Sequence, residues 1–126
     1  TDKEKYNVDD RIKNAWRISR LSNLLSKQGN KVIVSTVSLF TEIHKWNRNN
    51  FNSYYEVFLD IPISELIKRD SKNIYSNYKK GLIKNVVGMN LDFDIPINSD
   101  LVLKQFEINR IEEKADDIIL KSGWKS

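Results

Sequence analysis

Short apolar runs that alternate with helical patterns constrain the fold of this chain more than any other feature. The run from Val32 to Val37 holds β-branched residues at five of its six positions, and such a run is typical of a strand that is buried on both faces. The segments YYEVFLDIP, which ends at Pro62, and SDLVLKQF, which begins at Ser99, predict two more strands. Because helical patterns separate the three runs, the order predicts an α/β fold, a parallel sheet with helices on both faces.

The helical patterns have recognisable beginnings and ends. The first begins at Asp9 or Asp10, carries Ile18, Leu21, Leu24 and Leu25 at helical spacing, and ends at Gly29. Four further helices are predicted over the segments Phe40–Asn49, Ser64–Asp70, Ser71–Lys80 and Glu107–Lys121. The stretch from Leu82 to Ser99 shows neither helical nor strand periodicity, and a loop of that length in a compact domain is usually functional or mobile.

Length and composition exclude several classes of function. A chain of 126 residues with 40% hydrophobic and 30% charged residues is typical of a single soluble domain, here 1–126. It has no cysteine and one histidine, His44, so disulfides, thiolate catalysis and Cys/His metal clusters are excluded. The net charge is +4, and the lysines and arginines are scattered along the chain among the acidic residues, which argues against polynucleotide binding. No apolar run reaches the roughly 20 residues that cross a bilayer, so no membrane partner is expected.

Two places in the sequence carry candidate ligand-binding residues. Val37 and Ser38 follow the first predicted strand, and ligands of parallel sheets bind beyond the carboxyl ends of the strands. On the first helix, Asn14 and Arg17 share a face with Asp10. A guanidinium matches a phosphate in geometry, and an amide can pair with a base or a sugar. An exposed helix with scattered charges is the alternative interpretation.

Several motifs occur in the order of one known family. They are DRIKNAWR at 10–17, KVIVSTVSLF at 31–40, EVFLDIP at 56–62, RDSKNIY at 69–75 and GLIKNVVG at 81–88. Together they resemble the motifs of the adenylylsulfate (APS) kinase family, over a region from about Tyr6 to Leu103. The resemblance implies a fold like that of the P-loop kinases and an ATP-dependent enzyme that phosphorylates the ribose 3′-hydroxyl of APS in sulfate activation. It also implies ATP and Mg²⁺ as cofactors, a homodimer and a cytoplasmic location.

The resemblance also implies roles for individual residues. Arg69 would face ATP, and Ser38 would be the candidate catalytic residue, orienting the acceptor nucleotide rather than attacking as a nucleophile. The residues expected to contact the nucleotide substrate are Arg11, Asn14, Arg17, Val37, Ser38, Lys72, Lys84, Asn85 and Val86. The tryptophans Trp16, Trp46 and Trp124 are expected to pack against other groups or to lie at an interface, and His44 to lie on a helix surface.

One departure from the family concerns the ATP phosphates. The sequence contains no Gly-x-x-x-x-Gly-Lys-Ser/Thr loop, and its four glycines stand at 29, 81, 88 and 123. Such a loop binds the phosphates, and its hydroxyl binds magnesium. In the family it precedes the Asp-Arg helix, so we expect an N-terminally incomplete kinase domain whose Mg²⁺ ligands lie largely outside the chain. The chain alone is then expected to be inactive. The alternative is a non-catalytic module that binds a nucleotide or a partner.

A second departure concerns the acceptor base. Val86 stands where the family has an aromatic residue that stacks on adenine, Leu39 where it has proline, and Thr36 where it often has phenylalanine. These changes suggest a different acceptor. A related kinase that acts on a cytidine nucleotide, such as cytidine diphosphoramidate in capsule synthesis, is therefore the alternative to APS.

Overall fold

The computed structural model describes residues 8–37, 39–69, 73–81, 94–104 and 110–124. Within these ranges the helices are α1 (Val8–Lys27), α2 (Thr41–Asn50), α3 (Ile63–Lys68), α4 (Ile74–Lys79) and α5 (Ile111–Lys121), and the strands are β1 (Val57–Asp60) and β2 (Leu101–Lys104). All five helices and two of the strands coincide with segments predicted from the sequence.

The sheet of the described residues is parallel, which confirms the predicted α/β class. β1 pairs with β2 so that Val57 lies opposite Leu101 and Asp60 opposite Lys104. Parallel neighbours need a long crossover connection, and the chain between them contains α3 and α4. Leu59 and Val102 remain 54% and 42% exposed, so helices cover only part of this sheet.

The first helix buries small residues and exposes its apolar ones. Asp9 and Asp10 lie in its first turn and Lys27 in its last, where each charge is favourable to the helix dipole. The buried residues are Ala15, Ser19 and Ser22, which follow one another at helical spacing. The predicted apolar positions Ile18, Leu21 and Leu24 are exposed instead. Periodicity therefore predicted the helix but not the face that α2 covers.

An edge-to-face series of aromatic rings connects α1 to the start of β1. Trp16 meets Trp46 with 5.8 Å between ring centroids, and Trp46 meets Phe51 at 6.3 Å. Phe51 then lies 5.6 Å from Tyr54. Such pairs contribute beyond the apolar area that they bury. The expectation that Trp16 and Trp46 pack within the protein is thus confirmed. Trp124 lies beneath the Lys31 ammonium, 5.6 Å from the ring centroid.

The segment 31–37, predicted as a buried strand, has no regular secondary structure. Ile33 is 79% exposed, so the prediction of a strand at this place is wrong for the described structure. The physical reason is that an apolar β-branched run favours a strand only where a neighbour supplies hydrogen-bond partners. β1 and β2 pair with each other, and no other strand occurs among the described residues.

A network of polar side chains holds the beginning of the two strands, and we call it the Asp100 cluster (Arg48, Tyr54, Glu56, Ser99 and Asp100). The Arg48 guanidinium donates to both Asp100 carboxylate oxygens, at 3.1 and 2.9 Å. The Glu56 amide donates to Asp100 Oδ2 at 2.7 Å. The Glu56 carboxylate accepts hydrogen bonds from Tyr54 Oη and Ser99 Oγ, at 2.7 and 2.8 Å. Burial, together with the Glu56 contact, raises the pKa of Tyr54, so this hydroxyl remains a donor.

Candidate functional site

A hydrogen bond joins the two places that the sequence singles out as ligand-binding. The Arg11 guanidinium on α1 donates from Nη2 to the Val37 carbonyl at 2.9 Å, although 26 residues separate the two. Partial burial lowers the pKa of Arg11, but an arginine remains charged in proteins. The predicted contact face of α1 and the segment after residue 36 therefore lie side by side.

Asn14 and Arg17 lie on α1 one and two turns beyond Arg11. Arg17 Nη1 donates to Asn14 Oδ1 at 3.3 Å, and both side chains are exposed. One such bond uses one of the five N–H donors of a guanidinium. Two guanidinium groups and an amide thus occupy one edge of α1, where they are suited to a phosphorylated ligand.

The segment 37–41 is held on its other side by Asp94. The Asp94 amide donates to the Leu39 carbonyl at 2.9 Å, and the Thr41 amide donates to Asp94 Oδ2 at 2.8 Å. The carboxylate reaches the first turn of α2 from 53 residues further along the chain. The backbone hydrogen bond from Thr41 lowers the pKa of Asp94, so the carboxylate is ionised at neutral pH.

A second polar pair lies at the carboxyl ends of the strands. The Lys104 ammonium donates to Asp60 Oδ2, and the two residues are register partners on β2 and β1. Their side chains are 53% and 41% exposed, so the ion pair contributes little to stability. The pair lies at the carboxyl ends of β1 and β2, the edge at which parallel sheets bind ligands.

The remaining predicted site residues are only partly described. Arg69, expected to face ATP, donates from Nε to Glu65 Oε1 at 2.8 Å, four residues earlier along the chain. Its role toward ATP stays a prediction. Ser38, Lys72, Lys84, Asn85 and Val86 lie outside the described residues, so their predicted roles also stay predictions.

The sequence did not reveal Asp94 or Lys104 as part of this region. Asp94 lies in a stretch rich in Asn and Asp, where nothing distinguishes one carboxylate from the next. Its partners, the Leu39 carbonyl and the Thr41 amide, follow Ser38, so the pairing becomes visible only in three dimensions. Lys104 follows from the sheet register: once β1 and β2 are known to be parallel, their last residues must meet.

The part of the chain that the structure describes does not supply a cluster of ligands for Mg²⁺. Among the described residues no group of three or more His, Asp or Glu side chains could hold a metal ion. The printed sequence also has no phosphate-binding loop. The roles that follow for this chain are accordingly limited to the acceptor nucleotide.

Comparison with known proteins identifies the family. The family model for adenylylsulphate kinase matches residues 3–104. The chain belongs to the adenylylsulphate kinase family. A solved structure, that of the Mycobacterium tuberculosis APS kinase CysC in complex with AMPPNP and APS, superposes with a TM-score of 0.81 at 28% identity. That superposition covers 90% of this chain and 67% of the mycobacterial one, which confirms the P-loop kinase fold expected from the sequence.

Two curated members of the adenylylsulphate kinase family differ in the acceptor that their names state. The cytidine diphosphoramidate kinase of Campylobacter jejuni is 39% identical over 116 residues, which are 92% of this chain and 68% of the relative. The adenylyl-sulfate kinase of Picosynechococcus is 28% identical over 116 residues, 92% of this chain and 65% of the relative. The chain thus spans about two thirds of the length of these relatives. Their names support a nucleotide kinase without deciding the acceptor.

None of the described helices is both long and apolar enough to cross a membrane. The predicted homodimer and the predicted cytoplasmic location stay predictions.

Proposed function

We propose that this protein acts in the ATP-dependent transfer of a phosphoryl group to the ribose 3′-hydroxyl of a small nucleotide. The observation that carries the proposal is the hydrogen bond from Arg11 to the Val37 carbonyl. It brings the Arg/Asn edge of α1 against the segment that leads to Ser38, as expected of an acceptor site. Family membership supports the reaction class.

The chemistry requires binding and orientation more than covalent catalysis. The γ-phosphorus–oxygen bond of ATP breaks, the ribose oxygen forms the new bond and gives up its proton, and ADP leaves. Magnesium, where it is bound, neutralises the charge of the transferred group. The residues of this chain act on the acceptor: the Arg11 guanidinium attracts its phosphates, and the Asn14 amide offers both a donor and an acceptor to its base or sugar.

We further propose a cytidine nucleotide, such as cytidine diphosphoramidate, as the acceptor. Val86 cannot stack on a base as an aromatic ring does, and such stacking contributes on the order of 1–3 kcal/mol per base. The higher identity to the cytidine diphosphoramidate kinase, 39% against 28% for the Picosynechococcus enzyme, supports the same choice. Adenylylsulfate remains the competing acceptor, since most of the motifs are shared with enzymes named for it.

The test measures the release of ADP by the full-length protein with Mg²⁺–ATP and each acceptor in turn. We expect turnover with cytidine diphosphoramidate at a kcat/KM at least about fivefold above that with adenylylsulfate, because a stacking contact of about 1 kcal/mol or more corresponds to a factor of that size. The reverse preference would overturn the cytidine assignment but leave the kinase. No ADP release above the background with either acceptor would overturn the kinase itself.

Substitution of Arg11 tests its role in that site. Arg11→Ala is expected to raise the KM for the acceptor by about tenfold or more, because a charge-assisted contact to a phosphate is lost. The KM for ATP should change little. Arg110→Ala is the matched control, since this arginine is exposed and pairs with Glu113 on α5. An unchanged acceptor KM in Arg11→Ala would remove Arg11 from the site.

A further inference from the structure

We propose that Asp94 is a positioning residue for the acceptor nucleotide, because it holds the backbone of Leu39 and Thr41 close to Val37, the residue that Arg11 contacts. The proposal rests on the proposed function and adds a residue to the same site. Asp94 does not belong to any of the motifs on which the family resemblance was based. The case for it depends on the hydrogen bonds that it makes.

The segment 37–41 is held from two sides by three hydrogen bonds. Arg11 donates to the Val37 carbonyl at 2.9 Å from α1. Asp94 donates through its own amide to the Leu39 carbonyl at 2.9 Å and accepts from the Thr41 amide at 2.8 Å. Every second residue of the segment is therefore fixed through a backbone atom. These hydrogen bonds hold the backbone at Val37 before Ser38 and at Leu39 and Thr41 after it.

The Asp94 carboxylate caps the N-terminus of α2, which the residue at the N-cap position does not do. The N-cap position of α2 is Phe40, and no side chain at that position caps the helix. An aspartate at or near a helix N-terminus accepts from an otherwise unpaired amide and interacts favourably with the helix dipole. The Asp94 carboxylate supplies both interactions from a distant part of the sequence. The electrostatic influence of His44, also on α2, acts in the same direction on the pKa of Asp94.

The position of Asp94 favours a role in the site over a role in the core. Its side chain is exposed, so its removal creates no cavity among the buried residues. The atoms that it orders belong to Leu39 and Thr41, which follow the predicted substrate-contacting residue Ser38 in the sequence. Displacement of a binding segment by about 1 Å can cost up to about 100-fold in rate, so an exposed tether can affect ligand binding strongly while the fold remains intact.

The experiment compares Asp94→Ala with Asp94→Asn in the full-length protein. Asparagine still offers an oxygen to the Thr41 amide and caps helices about as well as aspartate, whereas alanine offers nothing. Asp116→Ala is the control, because it removes an exposed aspartate from α5. Two quantities are measured: the hydrogen exchange rate of the Thr41 amide by NMR, and the dissociation constants of cytidine diphosphoramidate, adenylylsulfate and ATP by calorimetry.

We expect Asp94→Ala to speed exchange at Thr41 and to weaken binding of the preferred acceptor by about tenfold, with ATP binding within about twofold of wild type. Asp94→Asn should stay within about twofold of wild type in both measurements. Faster exchange with unchanged acceptor binding would overturn the positioning role, as would equal loss in the Asn and Ala variants. If the wild type binds neither acceptor, the proposed function fails first and the role of Asp94 falls with it.

Discussion

The Asp100 cluster and the segment 31–37 are two regions with opposite ways of being held in place. In the cluster Tyr54 and Ser99 both donate to the Glu56 carboxylate, and the Asp100 carboxylate accepts from both Arg48 and the Glu56 amide. The segment 31–37 makes one hydrogen bond at each end. Lys31 donates to the Trp124 carbonyl, and Val37 accepts from Arg11. Between these ends Ile33 and Val34 are 79% and 45% exposed.

The difference shows what an apolar pattern cannot supply by itself. The run 32–37 has a stronger strand composition than β2, yet β2 is the strand. β2 has β1 as a neighbour in register, and the Asp100 cluster holds the beginning of both. A strand needs its backbone donors and acceptors to be paired, so composition counts only where a partner is present.

The largest effect on stability is expected when a buried isoleucine is truncated, and an exposed isoleucine of the segment 31–37 provides the contrast. Ile43 on α2 is 1% exposed and Ile33 is 79% exposed. Ile43→Ala should reduce the free energy of unfolding by about 3 kcal/mol, because it removes buried methyl groups and leaves a cavity. Ile33→Ala should change it by less than about 0.5 kcal/mol, as is usual for an exposed side chain.

Urea unfolding followed by tryptophan fluorescence measures both variants, because Trp46 lies on α2 and Trp16 contacts it from α1. Equal losses would contradict the comparison, since they would mean that the segment around Ile33 is buried in solution. A small loss for Ile43→Ala would instead mean that the α1–α2 contact does not form the core.

The second effect tests the Asp100 cluster itself. Asp100→Ala removes two of the three acceptors of Arg48, which also donates to the Asn98 carbonyl at 2.8 Å, and it removes the acceptor of the Glu56 amide. We expect a loss of about 2 kcal/mol in the free energy of unfolding, since charge-assisted hydrogen bonds are lost and one amide loses its acceptor. Asp100→Asn keeps an acceptor and should lose less. Asp116→Ala, measured in the same urea titration, provides the baseline for an exposed aspartate. Identical midpoints for Asp100→Ala and this control would show that the cluster does not hold the strands.

Local signals predicted most of the fold because they act within a few residues. Acidic residues at Asp9 and Asp10, and a glycine with φ of 88° at Gly29, mark the ends of α1 without reference to the rest of the chain. The stretch from Leu82 to Ser99 was predicted to lack regular structure. Its described part, from Asp94 onward, contains no helix or strand. The buried face of α1 was not predictable, because the burial of Ala15, Ser19 and Ser22 depends on where α2 lies.

The candidate site was predictable to the extent that it depends on motif residues. Arg11 and Val37 were both expected to contact the nucleotide substrate, and a hydrogen bond joins them, but their role toward a nucleotide stays a prediction. Asp94 could not be found, since its contacts run to Leu39 and Thr41 across more than fifty residues. Backbone hydrogen bonds of that kind leave no periodic trace in a sequence.

The smallest expected effect could break the comparison outright. Proline has no N–H and costs about 3 kcal/mol or more where it interrupts a helix, and it is excluded from the middle of a sheet because it removes a ladder hydrogen bond. The Val34 amide makes no hydrogen bond to another backbone group among the described residues. Val34→Pro should therefore reduce the free energy of unfolding by less than about 0.5 kcal/mol, whereas Phe58→Pro in β1 should reduce it by about 1–2 kcal/mol, since proline removes a backbone donor from a paired strand. Urea titrations of the two variants give the answer. A large loss in Val34→Pro would mean that residues 32–37 are paired with another strand in solution, and the strong strand composition of this run would then have its explanation.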